Sequence, residues 1–260
     1  ENLDLSTFLS ETGLSLEDFY ASAKGGWTGL QRAAGLPIPP ATEGEEKLAR
    51  NIGNLLHVDD PERLQLLRNP DDVAASIAGE EGYRYRLARQ VLTTVAGEQQ
   101  TVADPVNASE RLLAAEPVTA ELRELCVLLE DRARRLVTPL VAPPGVPISM
   151  HATYTRAEIA EAFGFRARGW VTGVRYVEEM NTDLLMVTLR KSQTHFTPTT
   201  MYADAFVSRE VFHWESQSAA SRQSSAGKRY LARSSTVLLF VRINREDPFV
   251  ALGPVELIDA

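Results

Sequence analysis

The sequence predicts an α+β protein, an N-terminal all-helical domain followed by a mixed β-barrel with flanking helices, and three observations carry that prediction. Residues 1–137 place apolar side chains at helical spacing. Residues 138–150 (TPLVAPPGVPISM) hold four prolines, and beyond them the runs become rich in Val, Leu, Phe and Thr with turn residues between them. The expected domains are therefore 1–137 and 151–260, joined by a semi-rigid linker over 138–150.

In the first region LSTFLSETGLSLEDFYASA reads as helix with Ser15 as a cap before LEDFY, and WTGLQRAAGL continues the pattern until Gly35 and PIPP stop it. GEEKLARNIGNLLHVDDPERLQLLRN gives two helices around the DDP break, and EGYRYRLARQVLTTV gives another. VTAELRELCVLLEDRARRLV is a long amphipathic helix whose acidic start and basic end complement its dipole. In the second region TRAEIAEAFG is helical, with Thr155 and Glu158 spaced as a capping box. The strand-like runs are GWVTGVRYV, DLLMVTLR, AFVSREVFHW, TVLLFVRIN and FVALGPVELI, while SAASRQSSAGKRY reads as a polar loop.

Length and composition suit two globular domains: 260 residues, 44% hydrophobic and 24% charged. ENLDLSTF has neither a basic nor an apolar leader region, and no run of uncharged apolar residues is long enough to span a bilayer, so a cytoplasmic protein without membrane contact is expected. The start without methionine suggests a fragment. The single cysteine, Cys126, lies in the apolar run LRELCVLL and reads as a small buried hydrophobe; no disulfide framework, metal site or cofactor is expected.

The net charge of −8 conceals an asymmetry. Residues 1–150 carry 14 basic against 23 acidic residues, whereas 151–245 carry 13 against 8. The basic residues cluster in FRARGWVTGVR, LRKSQ and SRQSSAGKRYLAR, and local clusters govern phosphate contact more than overall charge does. The stretch 187–218 adds two of the four histidines, a tryptophan and interleaved hydroxyl, amide and basic groups. Such a mix suits a planar, polar, anionic ligand, because each of these groups buried without a partner costs about 1–3 kcal/mol.

Several motifs have plainer readings. Thr155 and Glu158 are better explained as a structural cap, although His151 and Tyr154 precede a helix start, where phosphates bind readily. Arg190, Lys191 and Ser192 leave an apolar run either as a solvated loop or as a phosphate grip. In FHWESQS, Phe212 and Trp214 share one face of a strand, as core or as part of a clamp with the polar loop that follows. Arg222 and Arg229 stand where a P-loop around Gly227–Lys228 needs glycine and Ser/Thr, and no GxSxG or HExxH occurs, so no catalytic residue is assigned.

Taken together, HATYTRAEIAEAFG, TDLLMVTLRKSQTHFTPTTMYADAFVS, FHWESQS, SAGKRY and VLLFVR resemble the C-terminal domain of bacterial superfamily-2 helicases that also carry a phospholipase-D-like nuclease domain. STFLSETGLSLEDFYASAKGGWTGLQRAAGL is similar to the segment that follows the helicase core in those proteins. Some members are type IV, modification-dependent restriction enzymes. The resemblance implies an SRA- or PUA-like reader of a modified base, 5-methylcytosine first, in double-stranded DNA. It also implies helicase and nuclease domains elsewhere in the full-length protein, while this chain, with neither ATPase nor cleavage motif, is not itself expected to be an enzyme.

On that reading a flipped base is recovered by aromatic stacking and edge hydrogen bonds. Tyr154, Phe196, Tyr202 and Trp214 are the candidate walls of the base pocket, with His213 beside them and Glu215 and Gln217 reading the base edge. His151, Thr155, Arg190, Lys191, Ser192, Arg222, Lys228 and Arg229 are the candidate contacts to the DNA backbone. The alternative is an interaction or regulatory domain that docks on the helicase core and reads no base, for which the acidic helical half provides the surface.

Overall fold

Local capping chemistry sets most of the helix starts. Asp4, Ser15 and Thr42 each accept a backbone N–H from the first turn of α1 (Leu5–Thr12), α2 (Leu16–Ser22) and α4 (Glu43–Asn51). The start of α3 (Gly26–Ala33) is closed by a distant group, because Glu121 accepts from the N–H groups of Trp27 at 2.7 Å and Thr28 at 2.8 Å. Gly26 permits this approach: its φ is 64°, and a Cβ there would lie 2.4 Å from the Glu121 carboxylate. Asp60 caps α5 (Pro61–Leu67), and α6 (Pro70–Ala78) also opens on proline, whose missing N–H costs nothing in a first turn. Then come α7 (Gly82–Ala96), α8 (Pro105–Ala114), α9 (Glu116–Ala133), a two-residue strand β1 (Thr153–Tyr154) and α10 (Arg156–Ala162).

This computed structural model describes residues 3–97, 102–134, 144–190, 204–215 and 221–258, and the chain divides into two compact units, Glu1–Arg168 and Gly169–Ala260. The sequence suggests a division at 138–150; the observed one comes later because α10 is built into the helical unit. Glu158 and Glu161 on α10 are buried and find their charge partners on earlier helices. Leu55, Leu64, Val73, Leu87, Val91, Leu122 and Leu125 lie at the centre of the main core, and Leu5, Phe19 and Trp27 form a second cluster with the Phe8 ring against them. Cys126 belongs to the main core, and burial pushes its thiol up to about 12. Native protein should therefore resist maleimide labelling that goes to completion in denaturant; rapid labelling at pH 7 without denaturant would contradict this packing.

In the second unit the strands are β2 (Val174–Val177), β3 (Thr182–Thr188), β4 (Ala205–Phe206), β5 (Phe212–His213), β6 (Thr236–Arg242) and β7 (Phe249–Val255). A helix, α11 (Ser225–Ala232), stands between β5 and β6. Four of these strands lie in one sheet, in the order β7-β6-β3-β2. β3 and β6 run parallel from Thr182↔Thr236 to Thr188↔Arg242, while β2 and β7 pair antiparallel with them. A parallel pair needs a long crossover, and residues 189–235 supply it, carrying β4, β5 and α11. Nearly every position of β3 and β6 is buried, which accounts for their almost unbroken apolar runs.

Three expectations are corrected here. No closed barrel forms among the described residues, since the strand order is open and its two ends do not pair. AFVSREVFHW is not one strand, because the N–H groups of Val207 and Ser208 turn back to the Val211 carbonyl and leave β4 and β5 as a separate hairpin. SAGKRY is not loop: Ser224 accepts from the Gly227 N–H and starts α11.

Candidate functional site

A cleft of about 660 Å³ opens within the second unit, inside the range usual for ligand pockets. Its aromatic wall is Phe212, Trp214 and Tyr230, with Trp214 and Tyr230 edge to face at 5.7 Å between ring centroids. Phe212 and Trp214 are half-buried against the sheet face formed by Leu185, Val187, Val237, Leu239 and Val241. One side of each ring is thus fixed by the core while another borders the cleft. His213, pointing the other way along the strand, is exposed and also borders it. Arg222 and Ser221 form the polar side, and Leu257 and Ile258 the far apolar side.

The approach of α11 to this wall depends on Gly227. A Cβ there would meet the Ser221 carbonyl oxygen at 2.1 Å, so any side chain would drive the start of α11 away from residues 221–222. Next to α11, Asp183 is fully buried on β3 and pairs with Arg229 of that helix. It accepts two bonds from the Arg229 guanidinium, at 2.9 and 3.1 Å, and one from the Ser235 hydroxyl at 2.6 Å. The same guanidinium lies 3.7 Å above the centroid of the Tyr176 ring. Burial, with Asp183 nearby, pushes the Tyr230 hydroxyl up to about 12, which keeps it neutral at physiological pH.

The predicted residues separate under this geometry. Trp214, His213 and Arg222 come together at the cleft. Glu215 follows them, half-buried, with its backbone N–H donated to Asp204 at 3.0 Å and its carboxylate 3.9 Å from the His213 ring. Lys228 is exposed on α11, and Arg190 is exposed at the end of β3, its N–H donated to the Ile243 carbonyl. Phe196, Tyr202, Gln217, Lys191 and Ser192 lie outside the described residues.

Tyr154 is not a pocket wall. It is fully buried in the helical unit, its hydroxyl donating to Asp60 at 2.5 Å and its ring covered by the Arg63 guanidinium at 4.1 Å. Thr155 acts as the N-cap of α10, completing the capping box with Glu158, and His151 is exposed in the same unit with φ 67°. Arg229 is committed to Asp183 and Tyr176 and does not stand free for phosphate. Sequence reasoning missed Tyr230, hidden in a segment read as loop. The overlooked signal was Ser224, a good N-cap residue three positions before Gly227.

Among the described residues no cluster of three or more His, Cys, Asp or Glu side chains is placed to hold a metal ion, and no helix is long and apolar enough to cross a membrane.

Residues 148–260 match the family described as a domain of unknown function, DUF3427. The match spans the cleft and every motif from HATYTRAEI onward, and it begins inside the helical unit, so α10 falls within it. No curated protein and no solved structure matches the chain.

Proposed function

We propose that the chain is the target-recognition module of a modification-dependent, type IV-like restriction helicase-nuclease, and that it binds duplex DNA by taking a flipped modified base, 5-methylcytosine first, into the aromatic cleft of an SRA- or PUA-like domain. The observation that carries this reading is the cleft itself: Trp214 and Tyr230 held edge to face with Arg222 on the same rim. Ring faces recover the stacking that a base loses on leaving the duplex, and a cation beside them suits the adjoining phosphate. Burying one methyl group contributes only about 0.8 kcal/mol, roughly fourfold in affinity, so contacts to the base edge must supply further discrimination.

The test is fluorescence anisotropy on a panel of duplexes identical except for one base, carrying cytosine, 5-methylcytosine, 5-hydroxymethylcytosine or N6-methyladenine, at several stated salt concentrations. Preferential binding of one modified duplex at every salt concentration is the expected result. Equal affinity for the whole panel would reject base recognition. A second reading, docking on the helicase core without reading a base, is favoured by the acidic balance of the helical half; it predicts no binding to any duplex even at low salt.

A further inference from the structure

A second cavity, of about 250 Å³, shares Tyr230, Glu256 and Leu257 with the aromatic cleft. Its other side is formed by Arg229, Arg233, Ser235 and Thr236, where α11 ends and β6 begins. Arg233 ends α11 in the left-handed region, with φ 47° and ψ 41°, its N–H returned to the Arg229 and Tyr230 carbonyls. Glycine is the usual residue in that conformation, because a Cβ strains it.

In the neighbouring turn a left-handed residue is held by its own side chain. Asn181, at φ 46°, donates to the Ser234 carbonyl at 2.7 Å and accepts from the Tyr176 hydroxyl at 2.9 Å, so its side chain closes the turn. Arg233 has no comparable local duty. Its guanidinium makes no ion pair or hydrogen bond with the described residues, and it borders a cavity. Arg229 presents a fixed face to that cavity, but Asp183 already offsets its charge. Ser235 donates to Asp183, leaving Thr236 as a neutral hydroxyl on the lining beside that of Tyr230, which is buried without a hydrogen-bond partner among the described residues. Glu256 stands on the shared rim and opposes any anion that enters.

We infer that this cavity is a phosphate subsite of the aromatic cleft, taking a backbone phosphodiester of bound nucleic acid with Arg233 as its cation and Thr236 as its hydroxyl donor. The inference rests on reading the cleft as a nucleotide site. The shared wall places a ring-binding face and a cation that is unpaired among the described residues on two sides of the same residues, as a base and its neighbouring phosphate require. With Arg229 offset by Asp183 and Glu256 opposing, Arg233 is the single cationic contact that the lining offers.

The test uses the full chain with Arg233→Gly, Arg233→Asn and Glu256→Gln, titrated with plain and modified duplexes over a salt series. Glycine and asparagine both suit the left-handed backbone, so the melting temperature should hold or rise. Both Arg233 variants should lose affinity several-fold for plain and modified duplex alike and lower the slope of log affinity against log salt by about 1. Glu256→Gln should tighten binding. An unchanged affinity and slope in both Arg233 variants would overturn the subsite. If Trp214→Leu in parallel still abolishes the preference for modified duplex, the cleft reading stands and only the subsite falls; if no variant changes binding, both fall.

Discussion

Trp214→Leu and Trp214→Ala should lose most of the affinity for modified duplex while keeping weak, salt-sensitive binding to plain duplex. Base–aromatic stacking contributes about 1–3 kcal/mol per base, so the expected loss is about 5- to 150-fold. Leu is the more informative replacement. Trp214 also packs on the sheet core and against Tyr230, and Ala would leave a void there whose cost could be mistaken for lost recognition. Leu keeps much of the apolar fill and removes the ring face. Anisotropy titration alongside a far-UV circular dichroism melt separates the two effects. Unchanged affinity in a folded Trp214→Leu protein would remove the central support for base recognition.

Glu158→Ala should destabilise the helical unit by about 3–5 kcal/mol, the usual cost of stripping one partner from a buried ion pair. Glu158 and Arg63 are both fully buried, with Arg63 Nη1 3.4 Å from the carboxylate. His57 Nε2 lies 3.0 Å from the same carboxylate, and Thr94 and the Thr155 N–H also donate to it. Domains are stable by only about 5–15 kcal/mol, so this loss should appear as a large fall in the urea midpoint. The double variant Arg63→Met with Glu158→Leu should not restore the parent midpoint, because Arg63 also faces the buried Asp60 at 3.9 Å and donates to the Thr153 carbonyl. A Glu158→Ala midpoint within error of the parent would refute the assignment.

The same carboxylate gives the unit an acid limit. Burial alone would raise its pKa, but the charges of His57 and Arg63 and the hydrogen bonds outweigh burial and hold it down to about 2. A depressed folded pKa means stability that is present above the ordinary carboxylate range near 4.5 and lost as pH falls toward 2. Stability followed by denaturant titration should therefore decline between those values in the parent and decline less steeply in Glu158→Ala.

Features set by neighbouring residues were legible in the sequence. Ser15 and the Thr155–Glu158 box cap helices as their spacing indicates, because an N-cap bond spans three residues and needs no distant partner. The two-residue alternation in FHW placed Phe212 and Trp214 on one face, and both do pack on the sheet. Tyr154 could not be placed this way. An aromatic residue before a helix start serves equally as a ligand wall or as core, and Arg63 and Asp60, some ninety residues earlier, make it core. Arg229, expected at the DNA backbone, is claimed instead by Asp183, which lies on β3 some forty-six residues earlier.

What the sequence by itself determined is the α+β class, the helix and strand segments that obey their periods, and the capped helix starts. Each follows from contacts within a few residues. The tertiary structure alone decided that α10 belongs to the helical unit, that the sheet stays open among the described residues, and that Trp214, Tyr230 and Arg222 meet at one cleft. These outcomes depend on pairings between segments far apart in the chain. Local spacing carries no record of which buried charge or strand edge will meet which, because that choice is made by burial and hydrogen-bond satisfaction across the whole fold.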